Sequence, residues 1–93
     1  MIESFRHKGL RRLYEDDYRK ALPPELVQRI IREILTALEA AETLEGLNRP
    51  TFRLHALRGE RKGFWAVTVR ANWRIVFRFA EGRASEIDFL DYH

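Results

Sequence analysis

Trp73-Arg74-Ile75-Val76-Phe77-Arg78-Phe79-Ala80 is the stretch whose reading decides the fold. Trp73, Ile75, Phe77 and Phe79 share one parity, and Arg74, Val76, Arg78 and Ala80 share the other. An alternation with period two marks a half-buried strand. One of its faces can carry a core. The other presents two arginines that folding does not require. A similar run, Phe64 to Arg70, precedes it, and Ala84 to His93 follows. Ala71-Asn72 and Glu81-Gly82-Arg83 are short enough to be hairpin turns, so the three strands pair antiparallel.

Upstream, Thr51 to Leu57 reads as a fourth strand, with Phe52, Leu54 and Ala56 on one face and Arg53 and His55 on the other. Between it and the next strand lies Arg58-Gly59-Glu60-Arg61-Lys62-Gly63, a turn with two glycines and three cations. Earlier still the period changes. Val27, Ile31, Ile34, Leu38 and Ala41 follow helical spacing, widened by Leu26, Ile30 and Leu35, and predict a helix over residues 24–44 that ends near Gly46. Leu22-Pro23-Pro24-Glu25 separates it from a first helix over 10–20, whose apolar side is Leu10, Leu13, Tyr14 and Tyr18. Met1 to Arg6 alternates weakly and fits an added strand beside the later sheet. The whole is expected to be one domain spanning 1–93, an α+β layer pair. Two N-terminal helices cover one face of a mainly antiparallel sheet of four to five strands. The opposite face stays partly open, and the parity of Arg53, Arg74 and Arg78 points toward it.

Composition narrows the partners. The net charge is +3, but residues 1–48 carry 8 basic against 9 acidic residues, whereas residues 49–93 carry 9 against 5. Fourteen of the 17 cations are arginine, the side chain suited to bidentate phosphate contacts and to stacking on bases. A cationic surface can be merely solvating. The sharper expectation is a polyanionic partner, most simply nucleic acid. There is no cysteine, so disulfides and thiolate metal sites are excluded, in keeping with a reducing cytosol. No run approaches the roughly 20 apolar residues of a membrane span. Met1 to Arg6 lacks the features of a signal peptide. The expected location is cytoplasmic, with no membrane partner.

The chemistry concentrates on three histidines and the tail. His7 lies at an element boundary and reads as a surface residue. His55 shares its strand face with Arg53. Asp91-Tyr92-His93 gathers a carboxylate, a phenol and an imidazole at the end of a strand anchored by Ile87, Phe89 and Leu90. Asp88, Asp91 and His93 could be read as metal ligands, but strand parity turns Asp88 away from the other two, so no metal or other cofactor is expected. Cleavage of RNA without a metal needs a base for the 2′-hydroxyl proton, cations on the phosphate and an acid for the leaving 5′-oxygen. Histidine, arginine and an aromatic ring to hold an unstacked base are the residue types that do this, and they fall here on neighbouring strands.

The residues also resemble a known family. Ile2-x-Ser4-Phe5-x-His7-Lys8-Gly9-Leu10, Leu47-Asn48-Arg49, Leu54-His55-x-Leu57-Arg58-Gly59-x-Arg61-x-Gly63, Val69-Arg70-Ala71-Asn72-Trp73-Arg74-Ile75 and Asp91-Tyr92-His93 are similar to the HigB-type toxins of the RelE superfamily. The resemblance runs nearly end to end. It implies a small microbial-RNase-like fold and ribosome-dependent mRNA cleavage in the decoding site. It also implies neutralisation by a cognate HigA-like helix-turn-helix antitoxin, with operator DNA reached only through that antitoxin. The family's active-site positions map onto His55, Arg58, Arg74, Asp91, Tyr92 and His93. Relatives often carry lysine where this chain has Arg58, which keeps the charge but loses a proton donor. The roles so implied are His55 or Asp91 as base, His93 as acid, Arg74 and Arg58 on the scissile phosphate and Tyr92 against a base. Arg53, Arg61, Lys62, Arg70 and Arg78 are candidate RNA contacts, and Lys8, Arg11 and Arg12 are further cations for docking on ribosomal RNA. The alternative is a translation inhibitor that occupies RNA or a ribosomal site without cutting.

Overall fold

The structure, a computed structural model, describes residues 1–16 and 25–91. The expected break at Leu22-Pro23-Pro24, the end of the first helix with Tyr18, and the tail residues Tyr92 and His93 lie outside the described residues.

Four strands form one antiparallel sheet in sequence order: β1 (His55–Ala56), β2 (Trp65–Arg70), β3 (Trp73–Ala80) and β4 (Arg83–Asp91). Two helices, α1 (Lys8–Asp16) and α2 (Glu25–Ala40), supply the second layer. The helical stripe is the core stripe: Val27, Ile31, Ile34, Leu38 and Ala41 are all buried, and Leu35 joins them. They meet Val67, Ile75, Phe77, Ile87 and Phe89 from the sheet. Phe77, at the centre of β3, is fully buried. Trp73 stacks on Phe89 with centroids 4.6 Å apart and extends the core to the sheet's end.

The second helix stops earlier than its periodicity predicts. After Ala40 the chain bends, and Thr43 adopts extended angles. Leu44–Leu47 then forms a 3₁₀ turn that delivers Leu47 into the core. His7 is no idle surface residue either. Its Nδ1 accepts a hydrogen bond from the Leu10 N–H (3.1 Å), capping α1, and its ring meets Phe89 edge-on.

The expected fourth strand shrinks to His55–Ala56. Phe52 closes a turn onto the Arg49 carbonyl, and Arg53 takes a left-handed φ of 49°. That single reversal breaks the alternation assumed for residues 51–57. Phe52 is buried among the helices, whereas Leu57 is buried on the other side of the sheet.

The N-terminal segment does add to the sheet, and it runs parallel to β4, bridging Ile2 to Ala84 and Phe5 to Ile87. It covers an edge that would otherwise expose unpaired backbone groups. β4 is bulged where the segment lies: the register jumps between Val76↔Asp88 and Arg78↔Ser85, and Glu86 has φ 51°. The Glu86 N–H is taken up by Ser4 Oγ at 2.9 Å. The hairpin between β3 and β4 turns through Glu81 and Gly82, both at positive φ. Two such residues give the primed turn that matches strand twist. A Cβ on Gly82 would sit 3.4 Å from the Glu42 carbonyl oxygen.

Candidate active site on the open face of the sheet

The sheet face away from the helices is not bare. Leu57, Phe64, Ala66 and Val76 form a second, smaller apolar cluster there, with Leu90 packed against it. Val76, which shares its parity with the two arginines, is therefore fully buried. The loop from Leu57 to Phe64 folds over this patch. It is closed at its base by the Leu57 N–H donating to the Phe64 carbonyl (2.9 Å) and inside by Phe64 N–H to the Arg61 carbonyl (3.0 Å).

Strand register sets the polar residues around that floor. His55 pairs with Ala66, Ala66 with Val76, and Val76 with Asp88. One cross-sheet row therefore carries His55, two apolar floor residues and Asp88, since directly opposed residues share a face. The neighbouring row is Thr68, Arg74 and Leu90. His55 and Arg74 thus stand on one face in adjacent rows, on either side of a dry floor.

The His55 ring is oriented by its Nδ1, which lies 2.9 Å from the Arg53 carbonyl oxygen. A carbonyl can only accept, so Nδ1 carries the proton and Nε2 is left to take one. Arg74 folds back on its own hairpin: Nη1 donates to the carbonyl oxygens of Ala71 (2.5 Å) and Trp73 (3.1 Å). These bonds pin one end of the guanidinium and leave its other N–H groups for an anion.

The remaining expected residues fall in different places. Arg58 is exposed and leads into the 3₁₀ turn Gly59–Arg61 within the loop over the patch. Lys62 is exposed and Arg61 half-buried in the same loop. Arg70 is exposed at the end of β2. The left-handed turn takes Arg53 out of strand parity with His55, so that its backbone rather than its side chain is what meets the imidazole. Arg78 lies over the Phe64 ring, Cζ 4.4 Å from the centroid, and its Nε is 2.8 Å from Glu86 Oε2. Asp91 is exposed and pairs with Trp73, which packs on the helix side, so the register does not bring it onto the face of Arg74. Tyr92 and His93 are not described. Among the described residues, no three His, Asp or Glu side chains converge as metal ligands.

Several residues of this face escaped the sequence reading. Leu57 and Phe64 flank the Arg58–Gly63 loop as an apolar pair, a signal that the loop is folded down. Asp88, whose parity differs from that of Asp91, shares the open face with His55 but at the opposite edge of the sheet, where its Oδ1 accepts the Phe89 N–H at 2.9 Å. A cleft of about 320 Å³ lies between the N-terminal segment and α1, lined by Ile2, Phe5, Arg11 and Tyr14 among others; it holds Arg11 of the candidate docking cations and none of the candidate active-site residues.

Two packed layers with one open, arginine-rich sheet face make this a small α+β protein. Residues 3–93 match the model of the HigB-like toxins, described as the RelE-like toxin of the type II toxin–antitoxin system HigB, and the chain belongs to that family. It is 45% identical over 93 residues to the Endoribonuclease HigB of Proteus vulgaris, covering the whole of both chains. It is 32% identical to Toxin HigB-1 of Vibrio cholerae serotype O1, over all of this chain and 98% of that one. The fold is that of solved RelE-type toxins. One is the toxin in the YoeB–YefM heterotetramer of Staphylococcus aureus, with TM-score 0.62 and 14% identity, covering 100% and 95% of the two chains. Another is a YafQ mutant of E. coli, with TM-score 0.59 and 15% identity, covering 96% and 89%.

Proposed function

We propose that this toxin is a ribosome-dependent mRNA endoribonuclease that cuts by attack of the substrate's own 2′-hydroxyl, without a metal, and so inhibits translation. Family membership and whole-length identity to a protein named as an endoribonuclease support the enzyme class. The observation that carries the chemistry is the shared face of His55 and Arg74 across the Ala66–Val76 floor. His55 Nε2 removes the 2′-hydroxyl proton. Between the two candidate bases, register favours His55, because Asp91 pairs on the helix side. Arg74, with Arg58 from the overlying loop, neutralises charge gathering on the phosphate. The apolar floor excludes water beneath the reacting group and strengthens those contacts. His93 as the acid and Tyr92 as the stacking ring come from the family resemblance, as do the decoding-site substrate and the cytoplasmic setting. Arg61 and Lys62 rim the face and supply further phosphate contacts, whereas Arg70 pairs with Trp73, as Asp91 does, and is left at the sheet's edge. Arg53 acts through its backbone carbonyl, which orients His55. The protein partner is an antitoxin, as for any type II toxin, and the resemblance makes it HigA-like.

Primer extension on reporter transcripts, with and without translation, tests this reading. Cuts confined to translated frames, lost in His55→Ala, support it. Stalled translation without cuts would leave a non-cleaving inhibitor instead.

A further inference from the structure

Arg78 is the cation of the open face whose surroundings differ most from those of a phosphate contact. Its charge is already balanced by Glu86, Nε to Oε2 at 2.8 Å, and one face of its guanidinium is covered by the Phe64 ring. Its Nη1 would stand 3.0 Å from a Cβ at Gly63, so the loop backbone passes directly against the arginine tip. Gly63 has φ 96°, which side-chain-bearing residues rarely adopt. Glu86 is itself held out of the regular ladder. It sits on the β4 bulge with φ 51°, its N–H bound to Ser4 Oγ and its Oε1 3.9 Å from Arg6 Nε.

We propose that Arg78 and Glu86 are positioning residues: together they clamp the Arg58–Gly63 loop onto the sheet at Phe64 and Gly63, and so hold Arg58 over the open face. The inference rests on reading that face as the RNA-cleaving site. The clamp consists of a planar cation wedged between a carboxylate, an aromatic ring and a glycine backbone. The bulge aims the carboxylate, and the N-terminal segment stabilises the bulge. A loop closed at its base by the Leu57 N–H to Phe64 carbonyl bond and covered by Arg78 presents Arg58 in one pose. Without the clamp that base bond remains, but the Lys62 N–H and Phe64 N–H bonds inside the loop open more readily and the loop shifts.

The sign of one substitution separates this from a direct RNA contact. Glu86→Gln removes a negative charge from a cationic face, so electrostatics alone predicts tighter RNA binding and no loss of rate. The clamp predicts slower cleavage. Wild type, Glu86→Gln, Arg78→Gln and the double variant are compared on programmed ribosomes by single-turnover cleavage and by binding against salt. Both single variants should cleave on the order of tenfold slower, since misplacement by about 1 Å can cost up to about 10²-fold. The double should be no slower than the worse single, as for residues acting as a unit. The salt slope of Arg78→Gln should equal that of wild type. A slope shallower by roughly 0.7–0.9, the signature of one lost phosphate contact, together with wild-type or faster cleavage by Glu86→Gln, overturns the proposal. If wild type itself does not cleave, the nuclease reading fails separately. The clamp is then judged by hydrogen exchange at the Lys62 and Phe64 amides, which must accelerate in both variants; unchanged exchange rejects it.

Discussion

Arg74 lies directly across the β3–β4 ladder from Leu90, whereas Asp91 lies across from Trp73. That one-residue difference assigns Arg74 to the open face and Asp91 to the edge of the helix-covered one. It also dictates which substitutions touch chemistry and which touch packing.

Arg74 makes its hydrogen bonds to carbonyls of its own hairpin and none to the core. Arg74→Ala should therefore leave stability within about 0.5 kcal/mol, the usual range for surface changes. Cleavage should fall by about 10²–10³-fold, the scale of one lost electrostatic contact to developing charge. Thermal denaturation alongside single-turnover cleavage checks the pair, and equal losses in both would place Arg74 among structural residues.

His55 is exposed and bonded through Nδ1 to the Arg53 carbonyl. His55→Gln should bind programmed ribosomes as wild type does while losing about 10²–10⁴ in cleavage rate, the range for a general base. Ribosome pelleting measures the first quantity and primer extension the second. Retained cleavage would remove His55 from the mechanism.

Phe77 is fully buried at the middle of β3, between the helices and the neighbouring strands. Phe77→Ala should cost about 3–5 kcal/mol, a large part of the roughly 5–15 kcal/mol that stabilises a domain. Urea unfolding should show either a much lower midpoint or no folded baseline.

Among the described residues, Tyr14 has its phenol proton held more tightly than usual. Burial, and then its hydrogen bond to Glu39 Oε1 at 2.8 Å, push its pKa up to about 12 from an ordinary value of 10.0. A raised pKa means the folded state holds the phenol proton more tightly than the unfolded chain does. The resulting stability is complete below about pH 10 and is lost as pH rises toward 12. Tyr14→Phe should lower stability at neutral pH and flatten the alkaline decline above pH 10; a decline unchanged by the substitution would assign it to other groups. The residue is partly exposed, so solvent screening keeps the effect small.

Much of this fold is written in local periodicity. The α2 stripe from Val27 to Ala41 and the alternation of β3 each name their own buried face, because a helix or strand repeats its side-chain direction within a few residues. The short turns at Ala71-Asn72 and Glu81-Gly82 likewise dictate antiparallel neighbours from sequence alone, and so the open face with Arg74 was legible. Pairing between distant segments decided the rest. The Glu86 bulge depends on Ser4 lying beside it, the left-handed Arg53 on Phe52 turning into the helix layer, and the His55–Ala66–Val76–Asp88 row on the register of three ladders. None of these leaves a periodic trace, since each is fixed by contacts between residues far apart in the chain, and a shift of one residue in any ladder would turn its side chains to the opposite face.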